Sequence, residues 1–146
     1  MTAGQLFLDD DQGADCALAL GAALPGVLTQ DSPVALYASS LSGDDALALG
    51  RYQRAHQVLP PLAQSAYRRC SGGACVRMGR GVAYVALALR ERSSLMSCPP
   101  GRLLNRNVRG MLQGLRLLNA PANYFGRDFL SLDARPVLLT AWDARE

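Results

Sequence analysis

The sequence contains no lysine: all 15 of its basic residues are arginine, in a chain of 146 residues. The codon bias of a GC-rich genome is enough to explain the excess of arginine. The absence nevertheless excludes any site that depends on a lysine ammonium group, because a guanidinium is a planar fork of different reach that stays fully charged. The net charge is only +3, which is too small to indicate nucleic acid as a partner.

Histidine and long apolar runs are also scarce. The single histidine and four cysteines are His56, Cys16, Cys70, Cys75 and Cys98. Their spacing lacks the tight pairs typical of zinc sites. No apolar run approaches the roughly 20 residues that span a bilayer, and the acidic run at 9–11 is the opposite of the basic start of a secretion signal. We therefore expect a cytoplasmic protein with reduced cysteines, no metal and no membrane partner.

The composition is that of a globular protein, with 49% hydrophobic and 18% charged residues, and we expect one domain over residues 1–146. The patterns predict elements in the order strand–helix–strand–strand–helix–strand–helix–strand–strand, which favours an α+β fold with a mixed, mostly antiparallel sheet and helices on one face. The predicted strands include Gln5–Leu8, a hairpin of Val34–Ser39 with Ala46–Leu49, a buried central strand Val82–Leu89, and the terminal strand Pro136–Trp142. The predicted turns and helices are an acidic turn Asp9–Gly13, a helix Cys16–Leu24 capped by Asp15, a helix Leu103–Leu118, and a hairpin turn Asp133-Ala134.

One stretch, Tyr67–Leu89, carries most of the chemical information. Two arginines lead into Ser71-Gly72-Gly73, Gly79 and Gly81 follow, and then the apolar run begins. Adjacent glycines allow a tight turn with exposed backbone N–H groups, and such groups beside guanidiniums suit a phosphate or a carboxylate. A hairpin turn with solvated arginines is the alternative. Cys70 lies beside Arg69 in sequence, which fits either a reactive thiol or a small half-buried side chain.

The run Arg68-Arg69-x-Ser71-Gly72-Gly73 with Val76 resembles the RRxSGGGxV signature of lipoate–protein ligases, in the biotin/lipoate ligase superfamily. Ala46–Gln53 resembles the family strand that ends in Gly-Arg-x-Gln, and Tyr124–Asp128 resembles its Gly-Arg-Asn-Asp segment. The order and spacing of the three segments fit. The resemblance runs from about Asp15 to Thr140 and covers only the front part of the family's domain.

The resemblance implies activation of a lipoyl, octanoyl or biotin carboxylate as the acyl-adenylate, with ATP, and acyl transfer to a lysine of a lipoyl-type carrier domain. The ligand-binding residues that it implies are Arg51, Arg69, Ser71, Gly72, Gly73, Gly79, Gly81, Arg127, Asp128 and Arg135. Ala74 replaces the third glycine of the signature, and Met78 stands where many members have histidine. These departures make a changed ligand plausible.

A larger departure concerns the family's Arg-Lys-x-x-Gly hairpin, whose lysine touches the acyl carbonyl and the phosphate. Pro136 stands at that position, and Arg135 is the nearest charge. Groups that polarise a developing charge are worth several kcal/mol, so we expect ordinary ligase activity to be very low or absent. Two functions remain: a degenerate ligase-like domain that binds an acyl or adenylate ligand or serves as an interaction subunit, and an active acyltransferase or ligase completed by a second chain.

The family's catalytic domain continues beyond the lysine hairpin with further strands and helices. A sheet that ends at Pro136–Trp142 exposes an unpaired edge. We therefore expect this apolar strand to contact a second copy or a second chain, with Trp142 as an anchor. Burial of the strand beneath the Leu103–Leu118 helix is the alternative.

Overall fold

The computed structural model describes residues 3–43, 45–57, 65–91, 99, 102–126 and 128–141. Its strands are β1 (Gly4–Gln12), β2 (Val34–Leu41), β3 (Ala46–Leu49), β4 (Ala66–Arg68), β5 (Val76–Met78), β6 (Ala83–Leu89), β7 (Asn123–Tyr124), β8 (Phe129–Leu132) and β9 (Arg135–Leu139). Its helices are α1 (Ala14–Ala23) and α2 (Leu103–Leu117), with 3₁₀ turns at Leu24–Val27 and Ala55–Gln57.

The first sheet has the order β1-β2-β6, with β1 parallel and β6 antiparallel to β2. Its inner face buries Ala35 and Tyr37 of β2 against α1, where Ala17 and Leu18 complete the same core cluster. The strand predicted at Val82–Leu89 is confirmed as β6, but its predicted central, buried position is wrong. Within the described strands β6 lies at the edge, and Val85 is 54% exposed because alternate side chains point away from the core.

The second sheet has the order β4-β3-β5, and it corrects the predicted hairpin of Val34–Ser39 with Ala46–Leu49. The two segments are strands, but they belong to different sheets. β3 pairs in parallel with β4 and antiparallel with β5, so β3 is the central strand of the sheet that carries the arginine–glycine stretch.

The third sheet, β7-β8-β9, is antiparallel throughout. Its β8–β9 hairpin turns at Asp133 and Ala134, which have φ angles of 49° and 62°. Two successive positive φ angles are the requirement of the tightest hairpin turns, so the predicted turn is confirmed. Among the described strands β9 is an outer strand, and Val137 and Leu139 are 49% and 46% exposed, so α2 does not bury this part of the strand. Trp142 lies outside the described residues.

The predicted acidic turn at Asp9–Gly13 and the cap at Asp15 are both wrong. β1 continues to Gln12 through a register shift after Asp9, where Asp11 takes a φ of 60°. α1 begins at Ala14, and Gly13 is its N-cap without a side-chain hydrogen bond. Asp15 therefore lies inside the first turn, where a carboxylate favours the helix through its dipole rather than by capping.

The predicted helix at Leu103–Leu118 is confirmed as α2. Val108 is buried, Arg109 and Arg116 are exposed, and the chain leaves the helix at Asn119, which has a φ of 57°. Among the described strands, four of the six pairings are antiparallel, so the fold is a mixed α+β arrangement as predicted, and these strands form three short sheets instead of one. None of the described helices has the length and apolar character needed to span a membrane.

Candidate functional site

The end of β3 and the glycine turn after β4 are in direct contact. A β-carbon at position 50 would overlap the carbonyl oxygen of Gly73 and would lie 3.1 Å from its carbonyl carbon. The backbone N–H of Arg51 donates to the carbonyl of Ser71 at 2.9 Å, and the N–H of Arg69 donates to Leu49 at 3.0 Å. The structure thus brings together two of the three segments that resemble the ligase motifs.

Arg68 holds the loop that follows β3. Its Nη1 lies 3.0 Å from the carbonyl oxygen of Gly50, 3.1 Å from that of Arg51 and 2.7 Å from that of Gln53. The loop also closes on itself, since Gly50 N–H donates to Gln53 Oε1 at 2.9 Å. Arg68 was not among the predicted site residues, although the doubled arginine of the motif was the signal that pointed to it.

Arg69 fixes the glycine turn from within. Its Nη2 donates to the carbonyl oxygens of Gly72 at 2.9 Å and Ala74 at 2.5 Å. Its Nε is buried and has no hydrogen-bond partner among the described residues. Burial lowers the pKa of Arg69, while Cys75, Tyr84 and Asp128 act in the opposite direction. The guanidinium is therefore a half-buried cation with an unused donor, and such a group favours an anionic ligand.

An open cavity of about 380 Å³ lies beside this turn. It is lined by Arg51, Arg68, Arg69 and Cys70. The described lining includes three arginines and no acidic residue, so the surroundings of the cavity carry the positive charge that favours a carboxylate or a phosphate. The backbone N–H groups of Arg51 and Arg69 are both hydrogen-bonded, so these two arginines are held on a fixed backbone.

The C-terminal hairpin also reaches the glycine turn. A β-carbon at Gly73, whose φ is 89°, would lie 3.4 Å from the β-carbon of Ala141 and 3.9 Å from the carbonyl oxygen of Thr140. Thr140 N–H donates to the carbonyl of Asp128 at 2.7 Å. The hydroxyl of Thr140 is buried and has no partner among the described residues. The segment around Asp128 therefore lies beside the segments around Gly50 and Gly73. The Thr140 hydroxyl is a second buried polar group, after Arg69 Nε, that has no partner among the described residues.

Tyr84 on β6 borders the site and was missed by the sequence reasoning. Burial raises its pKa, as do the neighbouring Cys70 and Tyr37, while Arg69 acts to lower it. The rings of Tyr84 and Tyr37 are tilted, with centroids 6.2 Å apart. An aromatic residue in an apolar strand carries no sequence signal for this role, because only the fold places it against an arginine.

Other predicted site residues lie elsewhere. Gly79 and Gly81 are in the turn after β5, whose Met78 pairs with Ala46 at the start of β3, so they lie at the opposite end of that strand from Gly50. Arg135 begins β9, about 17 Å along the strand from Thr140. Arg127 lies outside the described residues.

Solved structures of lipoate–protein ligases share this fold. One is a putative lipoate protein ligase, Ta0514, from T. acidophilum with bound lipoic acid, with a TM-score of 0.77 and 15% identity over 99% of this chain and 64% of that chain. Another is a bi-partite lipoate protein ligase, studied with its E2 lipoyl domain, from Thermoplasma acidophilum, with a TM-score of 0.75 and 14% identity over 100% and 58%. A third is lipoate-protein ligase A bound with ATP, with a TM-score of 0.75 and 14% identity over 99% and 62%.

The chain thus has the lipoate–protein ligase fold and spans about three fifths of the length of these neighbours. No family model and no curated protein matches its sequence. The resemblance in its motifs is confirmed at the level of the fold, and ligand binding by the predicted residues stays a prediction.

Proposed function

We propose that this chain is a lipoate ligase-like domain that binds the carboxylate or phosphate of an acyl or acyl-adenylate ligand at the cavity of Arg51, Arg68 and Arg69, without ordinary ligase activity. The observation that carries the proposal is the half-buried guanidinium of Arg69. It is fixed by two turn carbonyls, its Nε has no partner among the described residues, and it opens on a cavity lined by two further arginines. The ligands that fit are lipoate, octanoate or biotin, alone or with ATP.

The proposed lack of ligase activity depends on the missing lysine. Pro136 stands at the lysine position of the family hairpin and pairs with Ser131 within the β8–β9 ladder. Arg135 lies at the far end of β9 from Thr140 and from the glycine turn that Thr140 approaches, so its guanidinium is badly placed to replace the lysine. A transition state that develops charge on the acyl carbonyl then lacks its polarising group.

The second candidate is an acyltransferase or ligase completed by another polypeptide. The similarity to a bi-partite ligase favours it. In this case the second chain supplies the missing cation, and the acyl group passes to a carrier domain of the lipoyl type. We propose the cytoplasm as the place of either function.

Thermal unfolding with lipoate, octanoate, biotin and ATP, singly and paired, tests the proposal. A ligand at about 100 times its Kd adds ~2.7 kcal/mol to the free energy of unfolding, a shift in Tm of about 5–10 °C. We expect the shift to vanish in Arg69→Ala and to shrink in Arg51→Ala, which leaves the turn carbonyls bonded. Arg109→Ala, on the exposed side of α2, is the matched control.

Acyl transfer to a lipoyl-type domain, assayed by mass spectrometry of that domain, separates the two candidates. Binding without transfer is the expected result. Transfer by the isolated chain would overturn the lack of activity, and the absence of any ligand-dependent shift in the unaltered protein would overturn the binding proposal.

A further inference from the structure

The outer face of the sheet β1-β2-β6 is apolar and uncovered by any described residue. Two rows of aliphatic side chains cross the three strands on this face, because residues directly opposite in the ladder share a side. The rows are Leu6–Leu36–Leu87 and Leu8–Ala38–Val85. Leu6 is 61% exposed and Leu8 is 72% exposed. We call this surface the outer face; contiguous exposed apolar surface of this kind marks an interaction site.

The outer face ends in an acidic depression of about 440 Å³. Its lining consists of Leu8, Asp9, Asp10, Ala38, Ser39, Ser40 and Ala83. The Oδ1 of Asp10 accepts a hydrogen bond from Ser40 Oγ, which holds the carboxylate at the rim. An aliphatic floor with the Asp10 carboxylate at its edge suits an arginine, whose methylene stem lies on apolar surface while its head remains charged.

The same chain presents the complementary group at the end of α2. Leu117 is 80% exposed, Leu118 is 76% exposed, and the neighbouring Arg116 has an exposed guanidinium with no partner among the described residues. We call Arg116–Leu118 the α2 corner. Its backbone is fixed, since Leu118 N–H donates to Gly114, Asn119 N–H to Arg116 at 3.0 Å, and Ala120 N–H to Leu115 at 2.9 Å. A fixed corner loses little conformational entropy on docking.

We propose that the α2 corner of one copy of this chain docks on the outer face of a second copy, with Arg116 in the acidic depression and the two leucines on the aliphatic rows. The two surfaces are complementary: the leucines of the α2 corner meet the aliphatic rows of the outer face, and the Arg116 cation meets the carboxylate of the depression. The contact joins two different patches, so it produces either a closed ring, including a reciprocal pair, or an open chain of copies. It does not use the cavity of Arg51, Arg68 and Arg69, nor the β9 edge.

Sedimentation velocity over a concentration series tests the proposal. We expect the unaltered protein to self-associate, and we expect Leu118→Glu, Asp10→Arg and Arg116→Asp each to weaken the association by about tenfold or more, as for a residue at the centre of an interface. Arg109→Asp on the same helix and Asp31→Arg on another exposed loop are the matched controls, which should leave it unchanged. Circular dichroism of each variant checks that the fold is retained.

An exchange of charge between positions 10 and 116 tests whether Asp10 and Arg116 contact each other across the interface. The double variant Asp10→Arg with Arg116→Asp should recover association, and so should an equimolar mixture of the two single variants, because each mixed contact again joins opposite charges. A protein that stays monomeric at every concentration would overturn the proposal. Loss of association in Val137→Glu but in none of the other variants would also overturn it, because the interface would then lie on β9. A third contrary result would be that the single variants weaken association and that neither the double variant nor the mixture recovers it.

Discussion

Gly50 and Gly73 are in backbone contact, so close that no room remains for a side chain at position 50. A β-carbon there would overlap the Gly73 carbonyl oxygen and lie 3.4 Å from the carbonyl carbon of Gly72. The atoms in the way are backbone atoms, which cannot rotate aside as the end of a flexible side chain can. This contact connects the end of β3 to the glycine turn, and together with the β3–β4 pairing it holds Arg51 near Arg69.

Gly50→Ala should therefore destabilise the protein and displace the glycine turn. Forcing extra volume into a packed site costs about 1–3 kcal/mol in the free energy of unfolding, measured by urea denaturation. Gly114→Ala is the matched control: a β-carbon there meets nothing within 4 Å, so the change should stabilise α2 by about 0.5–1 kcal/mol. An equally stable Gly50→Ala protein would contradict the backbone contact between the two segments.

Local patterns predicted the elements whose geometry depends on neighbouring residues. The spacing of Leu104, Val108 and Leu115 predicted α2, and the pair Asp133-Ala134 predicted the β8–β9 turn. The partner of a strand is a property of the whole fold, so the chain order of β2 and β3 suggested a hairpin that does not form. The unbroken apolar run of β6 suggested burial on both faces, whereas its outer side chains are exposed.

The part of the candidate site that the sequence predicted is the part built from the three motif segments. The segments around Gly50, Gly73 and Asp128 do meet, as their order in the motifs predicted. Tyr84 and Thr140 join them only through the pairing of β6 with β2 and of β9 with β8, which no local signal specifies.

Arg68→Met should loosen the loop at 50–53. The change removes the donor shared by three carbonyl oxygens but keeps most of the aliphatic stem. Because Arg68 is exposed, water replaces part of the lost bonding, and we expect a loss of about 1 kcal/mol in the free energy of unfolding. Hydrogen exchange should speed up at Arg51 and Gln53, whose amides donate to Ser71 and Gly50. Arg109→Met, on the exposed side of α2, should show neither effect, and unchanged exchange in Arg68→Met would argue against the clamp.

The stability of the protein at alkaline pH should depend on Tyr84. Burial raises the pKa of this phenol above the 10.0 of an exposed one. The folded state therefore holds the proton more tightly than the unfolded chain, so this contribution to stability is full below pH 10 and is lost as pH rises from there through the folded-state pKa.

Denaturation by urea at about pH 8 and about pH 11 measures this contribution. Between the two values Tyr84→Phe should lose less stability than the unaltered protein, while Tyr52→Phe, at an exposed position, should behave like the unaltered protein. Equal losses in all three would show that Tyr84 is not buried in its protonated form.

Thr140→Val should raise stability and weaken ligand binding at the same time. The hydroxyl of Thr140 is buried and has no partner among the described residues, and an unsatisfied buried polar group costs about 1–3 kcal/mol. Valine has nearly the same shape without the hydroxyl, so we expect the free energy of unfolding of the unliganded protein to rise by about 1 kcal/mol. Thr29→Val is the control with a satisfied hydroxyl. Thr29 Oγ1 accepts a hydrogen bond from Ser32 N–H at 2.9 Å, so removing this hydroxyl should not stabilise the protein.

The same variant tests whether the Thr140 hydroxyl contacts the ligand that Arg69 binds beside Gly73. If it does, the ligand-induced shift in Tm should fall in Thr140→Val although the unliganded protein has become more stable. A higher stability with an unchanged ligand shift would confine the role of Thr140 to packing.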